Sequence, residues 1–189
     1  MVEVARAPAT YADVLAAPEH MVAELVDGEL HLQPRPARAH SVSASSLGGQ
    51  LLVAFQLGRG GPGGWWIIHE PELHLGGDVV VPDIAGWRRS AVPDLDRSLA
   101  YFDEVPAWVC EVLSPSTEAL DRVKKLRVYH RAGVEHAWLV HPTARTVEVY
   151  RRDAEAWTRV AAEEGAGEVA LPPFEVVPLD LDTLWLGAP

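Results

Sequence analysis

The sequence predicts a mixed α/β domain in which a central β-sheet, built partly from hairpins, is flanked by helices. Three stretches predict it. Apolar and polar residues alternate through MVAELVDGELHLQP around Asp27-Gly28, a strong short hairpin signal. The run WVCEVL at 108–113 is apolar on both faces apart from one acid, as a strand inside a sheet must be. Residues 117–132 then switch to helical spacing. A chain of 189 residues has the length of one domain with a sizeable core.

The other elements follow in order. TYADVLAAPEH reads as a short helix with Thr10 as its cap. Residues 37–57 read as a longer helix, weakened in the middle by Gly48-Gly49. GRGGPGG is a flexible loop. It has too few fixed positions, and no following lysine, to cradle a phosphate. WWIIHEPELHL and DVVVPDIAGW, joined by Gly76-Gly77, form a second strand–turn–strand unit, and 88–105 is a polar, Pro-containing connection. After the strand and helix named above, VEHAWLVHP and TVEVYRRD make a hairpin and AWTRVAAEE adds a strand. LPPFEVVPLDLDTLWL closes the chain with a short helix.

Composition narrows the function classes. With 48% hydrophobic and 23% charged residues, the chain is ordinary for a globular protein. No apolar run approaches the roughly 18 residues of a membrane span, and MVEVARAPAT lacks the apolar core of a secretion signal. The one cysteine excludes an internal disulfide and a zinc site built from several cysteines. A reducing cytoplasm is the natural setting, with no membrane partner. The net charge of −11 counts against a grip on nucleic acid by bulk electrostatics. It leaves room for a local basic strip and for a metal site, which is itself rich in carboxylates.

Two acids stand where the pattern is otherwise apolar. Glu111 shares a strand face with Val109 and Leu113, while Cys110 and Val112 share the other. Asp83 follows Val79 and Val81 on one face, and Pro82 cannot donate to a ladder, which puts Asp83 at a strand end. A desolvated carboxylate costs several kcal/mol unless it is paired or metal-bound. Taken singly, each acid is explained by an arginine or by backbone donors. Taken together, they point to a shared site.

The helix supplies a third element. Asp121, Lys125 and Tyr129 recur at i, i+4 and i+8 and form one stripe. Lys124, Arg127 and Arg131 form a neighbouring basic stripe, and Leu120, Val123 and Leu126 are the expected core-facing side. A lysine four residues from an aspartate is ordinarily a solvated pair. Here the chain holds 14 arginines and only two lysines, Lys124 and Lys125, a bias that favours a role for the compact ammonium.

The stretches VPD, EVLSPST, the spaced Asp121, Lys125 and Tyr129, and AGVEHAWLVHP resemble the Uma-type restriction endonuclease family, small bacterial proteins of the PD-(D/E)xK nuclease superfamily. ELVDGEL, His40 and the C-terminal LDLDTLW extend the resemblance over nearly the whole chain. It implies a restriction-endonuclease-like fold with a mixed central sheet. It also implies that Asp83 and Glu111 bind a divalent metal. The superfamily lysine stands two residues after the acid. That place is Leu113 here, so the resemblance implies that Lys125 on the following helix has taken the role. Glu24 matches the family's N-terminal acid and His40 its histidine. His141 stands where an acid is expected, and Ala137 where an aromatic is usual.

The chemistry suits these parts. Phosphodiester hydrolysis needs an activated water and charge stabilisation on the phosphate, which Mg²⁺ or Mn²⁺ on oxygen ligands supplies. Asp83, Glu111 and the Val112 carbonyl are the expected metal ligands, with Asp83, Glu111 and Lys125 as the catalytic core. Glu24, His40, Glu70, Asp121 and Tyr129 are accessory candidates. Arg122, Lys124 and Arg127 are the candidate contacts to phosphates of a nucleic acid, DNA in the first place. Superfamily relatives often act as homodimers, so that two sites reach two strands; composition leaves this open.

Competing readings are weaker or from other classes. Glu70, Glu72 and His74 share a strand face near His69, but no further ligand cluster supports a transition-metal site. Cys110 has no base nearby and reads as a buried structural thiol. The seven tryptophans read as core more readily than as base-stacking platforms. The rival function is a catalytically silent binding module on the same fold, favoured by the acidic balance. A sugar hydrolase using Glu111 and Asp83 has only the carboxylate pair behind it.

Overall fold

A computed structural model of the chain describes residues 7–34, 36–96 and 98–187. The expectation for the N-terminal residues 1–6 lies outside these. Two sheets carry the fold. The larger has six strands in the order β10-β9-β8-β7-β6-β3: β3 Trp65–His69, β6 Ile84–Arg88, β7 Trp108–Val112, β8 His136–His141, β9 Thr146–Arg152 and β10 Trp157–Glu164. Only β7 and β8 run parallel, so the sheet is mixed. A parallel pair needs a long crossover, and the helical segment between these strands provides it. The second sheet is antiparallel, in the order β2-β1-β5-β4: β1 Met21–Val26, β2 Glu29–Pro34, β4 Leu73–Leu75 and β5 Asp78–Val80.

The Asp27-Gly28 hairpin forms as the sequence indicates. Both residues have positive φ, 50° and 76°, as a tight two-residue turn between twisted strands demands. The second strand–turn–strand unit differs from expectation, because each of its strands breaks in two. Glu70 has φ 45° before Pro71, and Pro82 lacks an N–H for the ladder. The chain therefore leaves the large sheet after β3, makes the β4–β5 hairpin in the small sheet, and returns as β6. Glu70 and Asp83 stand at the two crossing points, joined by a 3.0 Å hydrogen bond from the Glu70 N–H to the Asp83 carbonyl.

Helices cover both faces of the large sheet. The first helix, α1, is shorter than expected, Tyr11–Leu15. The long helix α2, Arg38–Leu51, continues into a π-helical turn at Leu52–Gln56. It packs Leu47, Leu51 and Phe55 on one sheet face with Cys110, Val112, Trp138 and the C-terminal Phe174 and Trp185. On the other face, α3 (Leu126–Ala132) sets Leu126, Val128 and Tyr129 against Val109, Leu113 and Leu139. Glu111 shares that second face with Val109 and Leu113.

The helical segment before α3 corrects one expectation. Leu120–Lys125 is a π-helical turn, and Val123, expected in the core, is 55% exposed. Asp121 and Lys125 are the buried residues of this turn. The wide turn presents them to the sheet edge, and Val123 falls on the opposite side. At the C-terminus, β11 (Glu168–Val169) pairs with β12 (Leu179–Asp180), and a 3₁₀ turn at Asp182–Leu184 stands where a short helix was expected. No helix among the described residues is long and apolar enough to cross a membrane.

Candidate functional site

The end of β7, the crossing points at Glu70 and Asp83, the middle of β1 and the π-helical turn enclose one cleft of about 330 Å³. Glu24, His40, Glu70, Asp83, Glu111, Val112, Asp121 and Lys125 all line it. Strand β7 is buried on both faces, so Glu111 projects among apolar neighbours with its side chain 3% exposed.

Lys125 holds the cluster together. Its Nζ lies 2.8 Å from Glu24 Oε1 and 2.9 Å from Glu111 Oε1, donates to the Val81 carbonyl at 3.1 Å, and stands 3.8 Å from Asp121 Oδ1. Glu24 is fully buried; its Oε1 also accepts the Val81 N–H at 2.8 Å, and its Oε2 accepts the Gln33 amide. The Tyr129 hydroxyl donates to Glu111 Oε1. Asp83 accepts the Val112 N–H on Oδ2 at 2.7 Å, and its Oδ1 lies 3.0 Å from His40 Nε2. Asp83 thus touches the backbone of the residue next to Glu111. Both acids line the same cleft.

Charge is unevenly balanced here. Five carboxyl groups, Glu24, Glu70, Asp83, Glu111 and Asp121, line the cleft with one lysine. Burial pulls the Lys125 ammonium down, but Glu111 and Glu24 outweigh it and hold its pKa well above the usual lysine range. The acids absorb the deficit. Burial raises Glu111 well above the carboxylate range despite Lys125, and it raises Asp121 to about 6. Burial lowers His40, yet the Asp83 hydrogen bond and charge outweigh it and raise that pKa overall. Burial and the Glu111 charge push the Tyr129 hydroxyl well up.

Other candidates stand apart. Arg122 lies 2.7 Å from both Glu118 and Glu148, Lys124 is bound to Glu29, and Arg127 stands 3.9 Å from Asp27. None of the three lines the cleft. Glu72 and His74 turn to each other at 2.8 Å and to Tyr11, away from Glu70, and among the described residues no three His, Cys, Asp or Glu side chains are grouped to hold a metal. Cys110 is fully buried, with burial holding its thiol pKa well up. Trp65 is a core residue, and Trp66 lies under Arg89, its indole N–H bonded to the Val92 carbonyl. His141 accepts the Ala144 N–H in the β8–β9 turn and Ala137 is fully buried, both off the cleft.

Gln33 is the residue that sequence reasoning missed. Strand register pairs Val22 with Gln33 and Glu24 with His31, so Gln33 reaches Glu24 diagonally. Only the register carries that signal.

The Uma2 family model, described as "Putative restriction endonuclease", matches residues 9–182. The chain belongs to the Uma2 family. A curated relative, the uncharacterized protein slr1290 of Synechocystis, is 28% identical over 138 residues, which cover 69% of this chain and 66% of the relative. The chain thus aligns with about two thirds of that relative's length. A crystal structure of a "putative nuclease belonging to DUF820" from Anabaena variabilis superposes with a TM-score of 0.74 at 24% identity, covering 94% of this chain and 97% of the other. The Uma2 chain therefore has the restriction-endonuclease-like fold, with a mixed sheet flanked by few helices.

Proposed function

We propose that this Uma2 chain is a metal-dependent endonuclease that hydrolyses phosphodiester bonds of nucleic acid, DNA in the first place. One observation carries the reading: the Lys125 ammonium lies 2.9 Å from Glu111 while Asp83 bonds the neighbouring Val112 amide in the same cleft. Two strand-end acids and an ammonium are the groups this chemistry uses.

The donor set fits a hard divalent cation. All the acids offer oxygen, and five carboxyl groups stand against one ammonium, with burial raising Glu111 and Asp121; a divalent ion would favour their ionised form. Asp83, Glu111 and the Val112 carbonyl would hold Mg²⁺ or Mn²⁺. Such a set supplies fewer than three side chains, and Mg²⁺ keeps several waters of its own. When bound, the ion supplies a more acidic water and neutralises charge on the phosphate.

The chain's own residues do the rest. Tyr129 and Lys125 both bind Oε1 of Glu111 and fix its rotamer. Glu24 and the Val81 carbonyl hold the Lys125 ammonium in place. That fixed charge offsets negative charge developing on the phosphate. His40 orients Asp83.

A second reading, a catalytically silent module, draws on the same lysine, because a buried ammonium enclosed by acids is also what a purely structural ion pair looks like. Incubating labelled DNA and RNA with the wild type and Glu111→Gln in Mg²⁺ or Mn²⁺ separates the two. The nuclease reading expects cleavage by the wild type that Glu111→Gln loses. Cleavage unchanged by the substitution would remove this site, and absence of both cleavage and metal binding would favour the silent module.

A further inference from the structure

Helix α2 and the π-helical turn that continues it hold no Asp, Glu, Lys or Arg from Ala39 to Gly58, in a chain that is 23% charged. One side of this segment packs on the large sheet through Leu47, Leu51 and Phe55. The other side faces outward. Ser41, Ser45 and Gly49 are exposed there, Val53 is 44% exposed and Leu57 50%. The turn at Leu52–Gln56 is wider than an α-helical turn, which brings Val53 and Leu57 back towards the line of the first three. A surface helix ordinarily carries charged side chains on its outer face. This face has large apolar groups at one end and small residues at the other, with no charge between them.

Gly49 is a second anomaly on the same line. A Cβ placed there meets nothing within 4 Å, whereas one on Gly48 meets the His69 ring. No contact inside the chain requires a glycine at 49, although glycine inside a helix costs stability relative to alanine. On an outward face, a missing Cβ lets another backbone come close.

The two ends of the segment differ in charge. Past Gly58 stands Arg59, exposed and, among the described residues, without an ion pair. At the opposite end Ala37 and His40 line the cleft together with Glu70 and Asp83, where five carboxyl groups outnumber Lys125 and the exposed Arg38 at the rim.

We propose, independently of the nuclease reading, that this face docks a second copy of the chain across a twofold axis, the two α2 segments running antiparallel and crossing at Gly49. Such an axis is self-complementary in shape: Ser45 meets Val53 of the second copy, and Ser41 meets its Leu57. It is complementary in charge as well. Arg59 and Ala39 lie roughly 15 Å on either side of Gly49, at about 1.5 Å per residue. Arg59 of each copy therefore falls at the mouth of the other's acid-lined cleft. Two chains of −11 repel one another in general, and the repulsion is least where an uncharged face is flanked by such a match. A helix pair is small beside an interface of about 800 Å² per partner, so the dimer is a weak one, with Kd in the micromolar range.

Sedimentation velocity over a concentration series from about one to a few hundred micromolar, spanning that Kd, tests this. The wild type is expected to pass from monomer to dimer. Gly49→Leu is expected to weaken association at least about tenfold by holding the helices apart, while dilute protein melts no lower than the wild type, since the site is open. Arg59→Glu, in an exposed loop, is expected to weaken it about tenfold by setting an acid against the acids of the cleft. Val123→Ser, at an exposed apolar residue on the helical segment of the other sheet face, is expected to leave association unchanged. A wild type that stays monomeric throughout, or a dimer whose strength either Gly49→Leu or Arg59→Glu leaves unaltered, would overturn the proposal.

Discussion

Lys125 Nζ stands 2.9 Å from Glu111 Oε1, between a helix and a strand, with the two side chains only 2% and 3% exposed. The ammonium reaches the acid from the helix because the strand position two residues after Glu111 is Leu113, which packs in the core. One lysine therefore closes a site whose acids come from β1, the β5–β6 crossing, β7 and the π-helical turn.

Removing that ammonium leaves buried acids facing each other. Lys125→Met is expected to destabilise the fold by about 3–5 kcal/mol, the cost of breaking a buried pair from one side. Urea unfolding at pH 7 measures it. Lys125→Arg is expected to recover only part of the loss, because a planar fork does not fit a place shaped by four close ammonium neighbours.

Asp121 gives the fold a pH dependence of known sign. Burial raises its pKa from 3.8 to about 6. Between these values the folded state binds more protons than the unfolded state, so stability falls as pH rises from about 4 to about 6. The span corresponds to about 3 kcal/mol as an order of magnitude. Asp121→Asn is expected to flatten this slope and to be more stable than the wild type above pH 6. Urea midpoints of the two proteins between pH 4 and pH 8 check it.

Gly48 lies where α2 meets β3. A Cβ there would fall 2.0 Å from His69 Cε1, so the imidazole must move. Gly48→Ala is expected to destabilise only slightly, by less than about 1 kcal/mol, because the exposed His69 can swing its ring aside at the cost of its present rotamer. In a His69→Ala background the same change is expected to stabilise by about 1 kcal/mol, the helix preference for Ala over Gly. A double-mutant cycle in urea reads the sign reversal.

Local pattern carried much of this site. Glu111 was legible as a charge inside an apolar strand, and Asp83 as the residue after a proline that a ladder cannot hold. The i, i+4, i+8 spacing of Asp121, Lys125 and Tyr129 announced the stripe that faces Glu111. Long-range geometry was not legible. Nothing in WWIIHEPELHL indicates that one run serves two sheets, because the break depends on Glu70 adopting φ 45°. The exposure of Val123 follows from a π-helical turn, which apolar spacing does not encode. The reach of Gln33 to Glu24 and of His40 to Asp83 depends on strand register and helix placement, both settled by tertiary packing.

We propose that the cleft's carboxyl groups hold one divalent cation. Calorimetric titration of the protein with Mn²⁺, in the absence of nucleic acid, tests it most directly. The account predicts one ion per chain, bound at least about tenfold more weakly by both Glu111→Gln and Asp83→Asn, since each removes a charged ligand. No binding by the wild type, or binding of equal strength in Glu111→Gln, would contradict it.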